Sequence, residues 1–293
     1  MKLVTFTKND QDFVGTVIDN KVINLNHLLA DPSLTMMDLV EHGLGYIKKI
    51  EDKLADNDQE FAMNLDEVVL KAPLPNPGKV VCVGLNYMDH CREQNVEPPK
   101  APLIFSKWSS CVIGNGENVI LPSESTQVDY EAELGVVIGK EGKNIAEDNV
   151  FDHIFGYVIV NDISARDVQF ADGQWARGKS YDTFAPCGPY LVTADEISDP
   201  QNLSIRCTVN GNVLQDSNTA EMIFTIKEVI AYLSKGFTFE SGDLLSTGTP
   251  HGVGVFRDPQ VFLNDGDEVI VEIEGLGILR NKCARETEGS DVK

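Results

Sequence analysis

The spacing of apolar residues divides the first part of the chain into short strands and one helix. Alternating apolar and polar positions predict strands at 2–6, 13–18 and 21–25, and the pair Asp19-Asn20 is typical of a turn between the last two. From 36 to 54 the apolar residues recur at close to helical spacing, which predicts an amphipathic helix. This part of the chain is therefore expected to have α+β character.

A proline-rich segment follows this helix. Pro73, Pro75 and Pro77 fall within 72–78, and such a composition is typical of an extended connector. We therefore predict a small N-terminal α+β domain at 1–71 and a larger domain at 72–285. Residues 286–293 are predicted to form a disordered C-terminal tail.

The larger domain is predicted to consist mainly of β-strands. Short segments rich in β-branched residues predict strands at 79–83, 103–107, 130–138, 155–160, 189–192, 244–246 and 268–273. Asn210-Gly211-Asn212, between 204–209 and 213–215, predicts a hairpin. A single amphipathic helix is predicted at 223–234. The strand–helix repeats of a doubly wound sheet do not occur, so the predicted fold class is α+β with β-structure dominant.

Charge and composition narrow the classes of function. The sequence has 24 Lys and Arg against 46 Asp and Glu, a formal net charge of −22, which disfavours binding to nucleic acid or to anionic membranes. Every apolar run is shorter than the roughly 18 residues of a membrane span, and residues 1–8 lack an apolar leader. The 6 cysteines form no CxxC pair, which predicts free thiols in a reducing compartment. These features predict a soluble cytoplasmic protein.

The segment 128–138 contains two closely spaced glutamates. If the segment is a strand, Glu131 and Glu133 share one face, because alternate residues of a strand point the same way. Two carboxylates that enter a mostly apolar sheet repel each other and lose hydration unless a cation compensates them. The alternative is an exposed strand face that carries ordinary solvated acids.

A third acid follows the next apolar strand. Asp162 comes directly after 156–161, at a strand end that would be rigid and yet open to a cleft. Three carboxylates would form a site for a hard cation such as Mg²⁺ or Mn²⁺, with Ca²⁺ as a further alternative, whereas zinc more often recruits His or Cys. In the other interpretation Asp162 or Ser164 is simply the N-cap of a helix.

A histidine and a glutamate three residues apart form a candidate catalytic pair. In one turn of helix His90 and Glu93 would lie side by side. A carboxylate that fixes one imidazole nitrogen leaves the other as a proton acceptor, which is the arrangement of a general base. The alternative is a chance pair on a surface helix.

Two glycine-containing turns, 176–180 and 246–254, are the remaining candidates. Neither contains the phosphate-binding pattern GxxxxGK[ST]. In the functional interpretation, backbone donors together with a Lys or Thr side chain bind a small anion there. In the alternative they are tight surface turns.

Taken together and in this order, the five segments resemble the fumarylacetoacetate hydrolase family. The resemblance runs from about 79 to 283 and rests on GxNYxDH, DYExELxVVIG, GYxxxNDxxARDxQ, GKxxDTxxPxGP and TGTPxGVG. It implies a mixed β-roll or barrel core, usually assembled as a homodimer. It also implies a Mg²⁺ or Mn²⁺ ion and the following residues: metal ligands Glu131, Glu133 and Asp162; catalytic residues His90, Glu93 and Lys179; substrate contacts Arg166, Gln169, Lys179 and Thr249.

The same resemblance limits the reaction to small oxo-acids. The short N-terminal part and the absence of an aromatic insert at 170–177 favour an acylpyruvate or oxaloacetate over fumarylacetoacetate itself. A β-keto acid can chelate a dication, which then stabilises the enolate formed on C–C cleavage. The leading expectation is therefore a metal-dependent hydrolase that cleaves a C–C bond in acylpyruvate-type acids with water activated by the His–Glu pair. Oxaloacetate decarboxylase or tautomerase, 2-hydroxyhepta-2,4-diene-1,7-dioate isomerase, and a catalytically silent oxo-acid-binding protein are the alternatives.

Overall fold

The computed structural model describes residues 1–57 and 62–286. Within these ranges the strands are β1 Lys2–Lys8, β2 Gln11–Ile18, β3 Lys21–Asn24, β4 Ala62–Asn64, β5 Val69–Leu70, β6 Val80–Gly84, β7 Leu103–Lys107, β8 Val112–Ile113, β9 Val119–Leu121, β10 Val128–Asp129, β11 Ala132–Ile138, β12 Ile154–Asn161, β13 Ser164–Ala165, β14 Ala185–Thr193, β15 Ser204–Val209, β16 Asn212–Asn218, β17 Leu244–Ser246, β18 Glu268–Ile273 and β19 Gly277–Arg285.

Helices are short and connect these strands. The α-helices are α1 Leu25–Leu28, α2 Met36–His42, α3 Leu44–Asn57, α4 Met88–Gln94, α5 Arg166–Asp172, α6 Ala176–Lys179 and α7 Ile226–Leu233. Single 3₁₀ segments occur at Leu65–Glu67, Ser109–Cys111, Glu147–His153, Ala194–Glu196, Thr219–Glu221 and Gly254–Phe256. The predicted class, α+β with β-structure dominant, is confirmed.

Most of the strands in the described residues belong to one large sheet. Its strand order is β4-β3-β2-β1-β14-β12-β11-β17-β6-β7, with β5 paired to β1 and β8 to β14. A second sheet has the order β16-β15-β18-β19-β9, and β10 pairs with β13. The large sheet crosses the predicted boundary at residue 72, because β1 pairs antiparallel with β14. The division into domains 1–71 and 72–285 stays a prediction, and 287–293 of the predicted tail lie outside the described residues.

The central strand β11 is buried on both faces. Leu134, Val136 and Ile138 belong to one hydrophobic cluster, whereas Val137 belongs to another on the opposite face of the sheet. This alternation is the one expected for a strand with a period of two. Because both flanks are apolar, any charged side chain at the end of β11 must find its partners locally.

Both predicted helices differ from the structure in their bounds. The helix expected at 36–54 is split into α2 and α3 by Gly43, whose φ of 71° ends α2 in a conformation that favours glycine. The helix expected at 223–234 begins later, at Ile226, because Thr225 is its N-cap. The predicted hairpin is confirmed, and its turn residues Asn210 and Gly211 both have positive φ.

Thr225→Ala should destabilise the fold by removing this cap. The Thr225 side chain accepts a hydrogen bond from the Glu228 backbone N–H, and the Glu228 side chain accepts one from the Thr225 backbone N–H. Loss of such a cap costs about 1 kcal/mol, which urea denaturation would detect as a lower midpoint at unchanged slope. A midpoint equal to that of the wild type would show that packing alone fixes the start of α7.

Candidate active site

Strand pairing brings the three predicted metal ligands together. Glu133 lies in β11, Glu131 just before it, and Asp162 just after β12. The two strands are antiparallel with Ala132 opposite Asn161, so the start of β11 meets the end of β12. The Asp162 backbone N–H donates to the Glu131 carbonyl oxygen at 2.9 Å. As a result, one carboxylate oxygen from each of the three acids lies within 4.8 Å of the others.

The reason for this convergence differs from the one expected. The strand was predicted to include Glu131 at 130–138, but β11 begins at Ala132. The backbone N–H of Glu131 instead donates to the side-chain Oδ1 of Asn161 at 3.0 Å. Asp162 is not a helix N-cap either, because α5 begins after Ala165 without a side-chain cap. All three acids are buried, so the alternative of a solvated strand face is wrong.

Two buried lysines neutralise part of this negative charge. The Lys179 ammonium lies 2.7 Å from Glu131 Oε2 and 2.7 Å from Asp162 Oδ2. Lys107 donates to Asp162 Oδ1 at 2.5 Å and to the Ile163 carbonyl at 3.0 Å. Burial alone would lower the pKa of Lys179, but Asp162 and Glu131 raise it above its usual value. Lys179 is therefore held as a cation inside the site.

Glu133 remains the least compensated of the three acids. Burial, together with the neighbouring Asp162 and Glu131, raises the pKa of the Glu133 carboxyl above its usual range. Its Oε2 accepts hydrogen bonds from the Ser246 hydroxyl at 2.5 Å and from the Gly248 backbone N–H at 3.0 Å. A carboxyl that resists ionisation beside two other acids indicates that the lysines supply too little positive charge. The donor set of three clustered oxygens fits a divalent cation.

Arg166 fixes Glu131 from the other side. Its Nη2 donates to Glu131 Oε1 at 2.6 Å and its Nε to Asp129 Oδ2 at 2.9 Å, both in the interior. Asp129 also accepts the backbone N–H groups of Gly254 and Val255. The remaining contact of the guanidinium is to Gln169 Oε1 at 3.1 Å. Burial alone would raise the pKa of Glu131, but Arg166 and Lys179 lower it, so this carboxylate is ionised.

The predicted His–Glu pair lies on α4. His90 Nδ1 is 2.9 Å from Glu93 Oε2, and the second carboxylate oxygen of Glu93 accepts the Gly252 backbone N–H at 2.8 Å. His90 is buried at 6% exposure, which excludes the alternative of a chance pair on a surface helix. The same glutamate therefore orients the imidazole and joins α4 to the loop that carries Thr249.

Thr249 is positioned by a residue that the sequence did not single out. Gln215 Nε2 donates to Thr249 Oγ1 at 2.8 Å and to the Pro250 carbonyl at 2.9 Å, while Gln215 Oε1 accepts the Ala132 N–H. Because Thr249 Oγ1 already accepts a hydrogen bond, its hydroxyl hydrogen can be donated to another acceptor. The first part of this turn, 246–250, is thus packed against β11 and buried.

Most of the predicted site residues face one cavity. Its lining includes His90, Glu131, Glu133, Arg166, Gln169, Lys179 and Thr249. Glu93 and Asp162 lie behind this lining and hold His90 and Lys179 by the contacts given above. The remaining walls are largely aromatic and apolar: Val83, Phe105, Phe170, Trp175 and Phe256. The cavity thus combines a cluster of acids and cations with largely apolar walls.

Several site residues were missed by reasoning from sequence. Lys107, Ser246, Asp129, Gln215 and Gln94 contact the predicted residues but were not proposed for the site. A usable signal existed for Lys107, a lysine at the end of an apolar strand that must be either exposed or paired. Gln215 gives no such signal, because only the packing of β16 against the loop at 249–250 reveals its contacts.

The prediction of free thiols is confirmed by the structure. All six cysteines are free and buried. No helix in the described ranges is both long enough and apolar enough to cross a membrane.

A three-carboxylate centre at adjoining strand ends, with a His–Glu pair at the same cavity, is the arrangement of an enzyme that uses a divalent cation. The model of the fumarylacetoacetate (FAA) hydrolase C-terminal region matches residues 79–284. The chain belongs to the fumarylacetoacetate hydrolase family, as the resemblance predicted.

Relatives agree with this assignment along almost the whole chain. A mitochondrial oxaloacetate tautomerase from Xenopus laevis is 46% identical over 289 residues, which cover 96% of this chain and 89% of that protein. The fumarylacetoacetate hydrolase of Exiguobacterium antarcticum is 32% identical with a TM-score of 0.84, covering 98% of this chain and 100% of that one. A maleylpyruvate hydrolase of Sphingobium, solved with manganese(II) ion and pyruvate, is 27% identical with a TM-score of 0.82, with the same coverage of 98% and 100%.

The predicted cytoplasmic location is wrong. The X. laevis relative, which matches 96% of this chain, is a mitochondrial protein. The prediction relied on an N-terminus without an apolar stretch, and that feature bears on secretion only. Mitochondrial targeting segments are amphipathic and rich in arginine and serine, so the argument could not address them.

Proposed function

We propose that this protein catalyses keto–enol tautomerisation of a small 2-oxo dicarboxylic acid of the oxaloacetate type, with Mg²⁺ or Mn²⁺ as its cation. The observation that carries the proposal is that His90, Lys179 and the carboxylates of Glu131 and Glu133 face one cavity. A cation held by Glu131, Glu133 and Asp162 would polarise the 2-oxo group and stabilise the charge of the enolate. The X. laevis relative that shares 46% identity is an oxaloacetate tautomerase, which supports this choice over hydrolysis.

The residues of the chain supply the proton transfer and the binding of the acid. His90, oriented by Glu93, can take a proton from the substrate at Nε2 and return it. The ammonium of Lys179 and the hydroxyl of Thr249 can bind substrate oxygens, because both line the cavity. Arg166 holds Glu131 in its ionised state and presents Gln169 toward the same space. No attacking water is needed for this reaction.

The aromatic walls of the cavity support the proposal that the substrate is small. Phe105 and Trp175 make an edge-to-face contact with ring centroids 5.5 Å apart, and the Lys179 ammonium lies 4.8 Å from the Phe105 ring. Phe256 contacts His90 in the same manner at 5.9 Å. These aromatic rings enclose the polar groups closely, which suits a four-carbon acid better than fumarylacetoacetate.

Hydrolysis of an acylpyruvate is the second candidate, and the His–Glu pair favours it because the pair can also activate water.

The test is a direct comparison of reactions with the purified protein. Tautomerisation is measured as the rate at which the absorbance of enol-oxaloacetate disappears. Three further rates are measured: pyruvate release from oxaloacetate, cleavage of acetylpyruvate and cleavage of fumarylpyruvate. Each is measured with Mg²⁺, with Mn²⁺ and with EDTA. We expect the largest kcat/KM for tautomerisation, abolished by EDTA. A larger kcat/KM for cleavage of either acylpyruvate would reject the proposal.

We also propose that the protein is a homodimer. In the described part of the chain β7 is the last strand of the large sheet, and its Leu103 and Ile104 are 41% and 44% exposed. An apolar edge strand is protected when a second copy covers it.

Light scattering at micromolar concentration should give about twice 32.2 kDa. Ile104→Glu should shift this mass toward the monomer, whereas Glu272→Gln, an exposed position of β18, should not. A monomeric wild type would contradict the proposal.

A further inference from the structure

The indole ring of Trp175 forms one wall of the cavity, and the proposed reaction assigns it no part. Trp175 directly precedes α6, the short helix that ends at Lys179. Its ring makes the edge-to-face contact with Phe105, and the Phe105 ring in turn lies 4.8 Å from the Lys179 ammonium. A single aromatic ring therefore separates Trp175 from a cation of the site.

The ring of Trp175 cannot move back toward the sheet, because it already rests on the backbone of β6. A Cβ atom placed on Gly84 would lie 2.5 Å from Cζ3 and 3.1 Å from Cη2 of the indole, and real Cβ atoms do not approach other atoms as closely as 2.5 Å. Gly84 is not one of the positive-φ glycines of the described chain, so the ring contact, not the backbone conformation, requires glycine here. Trp175 is thus a fixed wall on the side of β6.

Trp175 and the carboxylates lie over different strands of the large sheet, in which β11, β17 and β6 are successive neighbours. Glu133 of β11 accepts a hydrogen bond from Ser246 of β17. Ser246 in turn pairs with Cys82 of β6, two residues before Gly84. Neighbouring strands are about 4.7–4.9 Å apart, which places β6 about 10 Å from β11. A substrate whose oxo-acid end lies beside Glu133 therefore meets Trp175 when its chain extends toward β6.

The cavity has little room beyond the oxo-acid end. Its volume is about 80 Å³, whereas pockets for drug-sized ligands measure about 300–1,000 Å³. The contacts of Lys179 and Arg166 with Glu131 place both cations on the side where the carboxylate and 2-oxo groups would bind. A longer chain needs additional volume, and on the side of β6 the contact of Trp175 with Gly84 prevents the wall from receding.

We infer that Trp175 limits the length of the substrate, so that the site accepts short 2-oxo acids and excludes those with a longer chain beyond the 2-oxo group. Gly84 contributes by allowing the indole to lie in contact with β6. The inference rests on the proposed function, because the 2-oxo acid end is taken to bind beside the carboxylates. The selection acts on binding and involves no covalent step.

Trp175→Leu tests this inference with ligands of different length. Pyruvate represents the 2-oxo acid end alone, whereas 2-oxoglutarate and 2-oxopimelate are 2-oxo dicarboxylic acids that differ by two methylene groups. With Mg²⁺ present, calorimetry on the wild type should give a Kd for 2-oxopimelate at least about tenfold above that for 2-oxoglutarate, since a methylene group that a pocket cannot place costs about tenfold or more. In Trp175→Leu this ratio should fall by at least about tenfold, while the Kd of pyruvate stays unchanged.

The second tryptophan of the chain provides the matched control. Trp108 is 51% exposed and is not among the cavity-lining residues of the described chain, so Trp108→Leu should keep the ratio of the wild type. The sequence contains 2 tryptophans, so Trp175 is the only one left in this control variant. Its fluorescence should change more with saturating 2-oxoglutarate than with saturating pyruvate, because only the longer acid reaches the ring.

Three results would overturn the inference: the same ratio of Kd values in the wild type and Trp175→Leu, a parallel loss of pyruvate and 2-oxoglutarate binding in that variant, or equal fluorescence changes with both acids. Trp175→Phe, which also shortens the side chain, replaces the leucine variant if the latter does not fold. A wild type that binds none of these acids with Mg²⁺ would instead reject the proposed function.

Discussion

Glu133→Gln is expected to abolish turnover while the protein remains folded. Glu133 is one of three acids whose oxygens lie within 4.8 Å of one another, and glutamine cannot supply the negative charge of a ligand. The hydrogen bonds from Ser246 and Gly248 can be kept, because the glutamine Oε1 accepts as the carboxylate does. Calorimetric titration with Mn²⁺ should show the loss of binding directly. Glu272→Gln, an exposed change of the same kind, should alter neither binding nor rate.

The same variant should be more stable than the wild type without metal, and the gain should depend on pH. The pKa of Glu133 is raised in the folded protein by burial and by Asp162 and Glu131. A raised carboxyl pKa means that the unfolded chain ionises first, so stability falls as pH rises above the ordinary value of about 4.3. Glutamine removes this loss. Urea denaturation in EDTA should show equal stabilities near pH 4 and a growing advantage of Glu133→Gln toward pH 8. A variant that unfolds more readily at pH 8 would contradict this account.

The three candidate metal ligands could be selected from the sequence because a buried acid must be compensated by a nearby charge or hydrogen bond. A pair of glutamates at the start of an apolar strand and an aspartate at the end of another must be compensated, whatever the details of the backbone. The backbone position of Glu131 nevertheless differs from the prediction. Glu131 lies outside β11, and the pairing of Ala132 with Asn161 brings it to the site. The sequence therefore predicted which three acids converge, while the geometry that joins them depends on strand register.

Contacts made by uncharged side chains between distant segments could not be predicted in this way. Gln215 connects β16, the start of β11 and the loop at 249–250, which are more than 30 residues apart in sequence. A glutamine carries no charge that demands a partner, so nothing local distinguishes it from a solvated residue. Gln94 is similar, because it lies four residues after His90 on α4 but its uncharged amide gave no reason to expect a contact.

The fold class could be predicted from the short segments rich in β-branched residues. The strand pairing that joins the N-terminal part of the chain to the rest could not. The prolines at 72–78 indicate a connector, and the sequence offers no signal that β1 would pair with β14 across it. The split of the predicted helix at Gly43 was visible in principle, since glycine within a helical pattern is a common helix end.

His90→Ala should lower kcat for tautomerisation by about 10²–10⁴-fold, the usual contribution of a general base. The imidazole is the proton carrier of the proposed reaction, and Nε2 is its only exchanging nitrogen because Nδ1 is held by Glu93 at 2.9 Å. Glu93→Gln should cost a comparable factor, since it leaves the ring present but poorly oriented. The measurement is kcat at saturating Mg²⁺ for wild type and both variants.

A second histidine–acid pair, between Asp89 of α4 and His251 of the loop at 246–254, provides a matched control for His90→Ala. His251 Nδ1 lies 2.9 Å from Asp89 Oδ2, and its side chain is 46% exposed. Because His251 is not among the residues that line the cavity within the described chain, His251→Ala should change kcat by less than about tenfold, the effect of one lost hydrogen bond.

Decarboxylation of oxaloacetate requires an electron sink but no base, so His90→Ala should affect it much less than tautomerisation. Small and equal losses in both reactions would show that His90 is not the proton carrier, whereas large and equal losses would assign it to positioning the substrate.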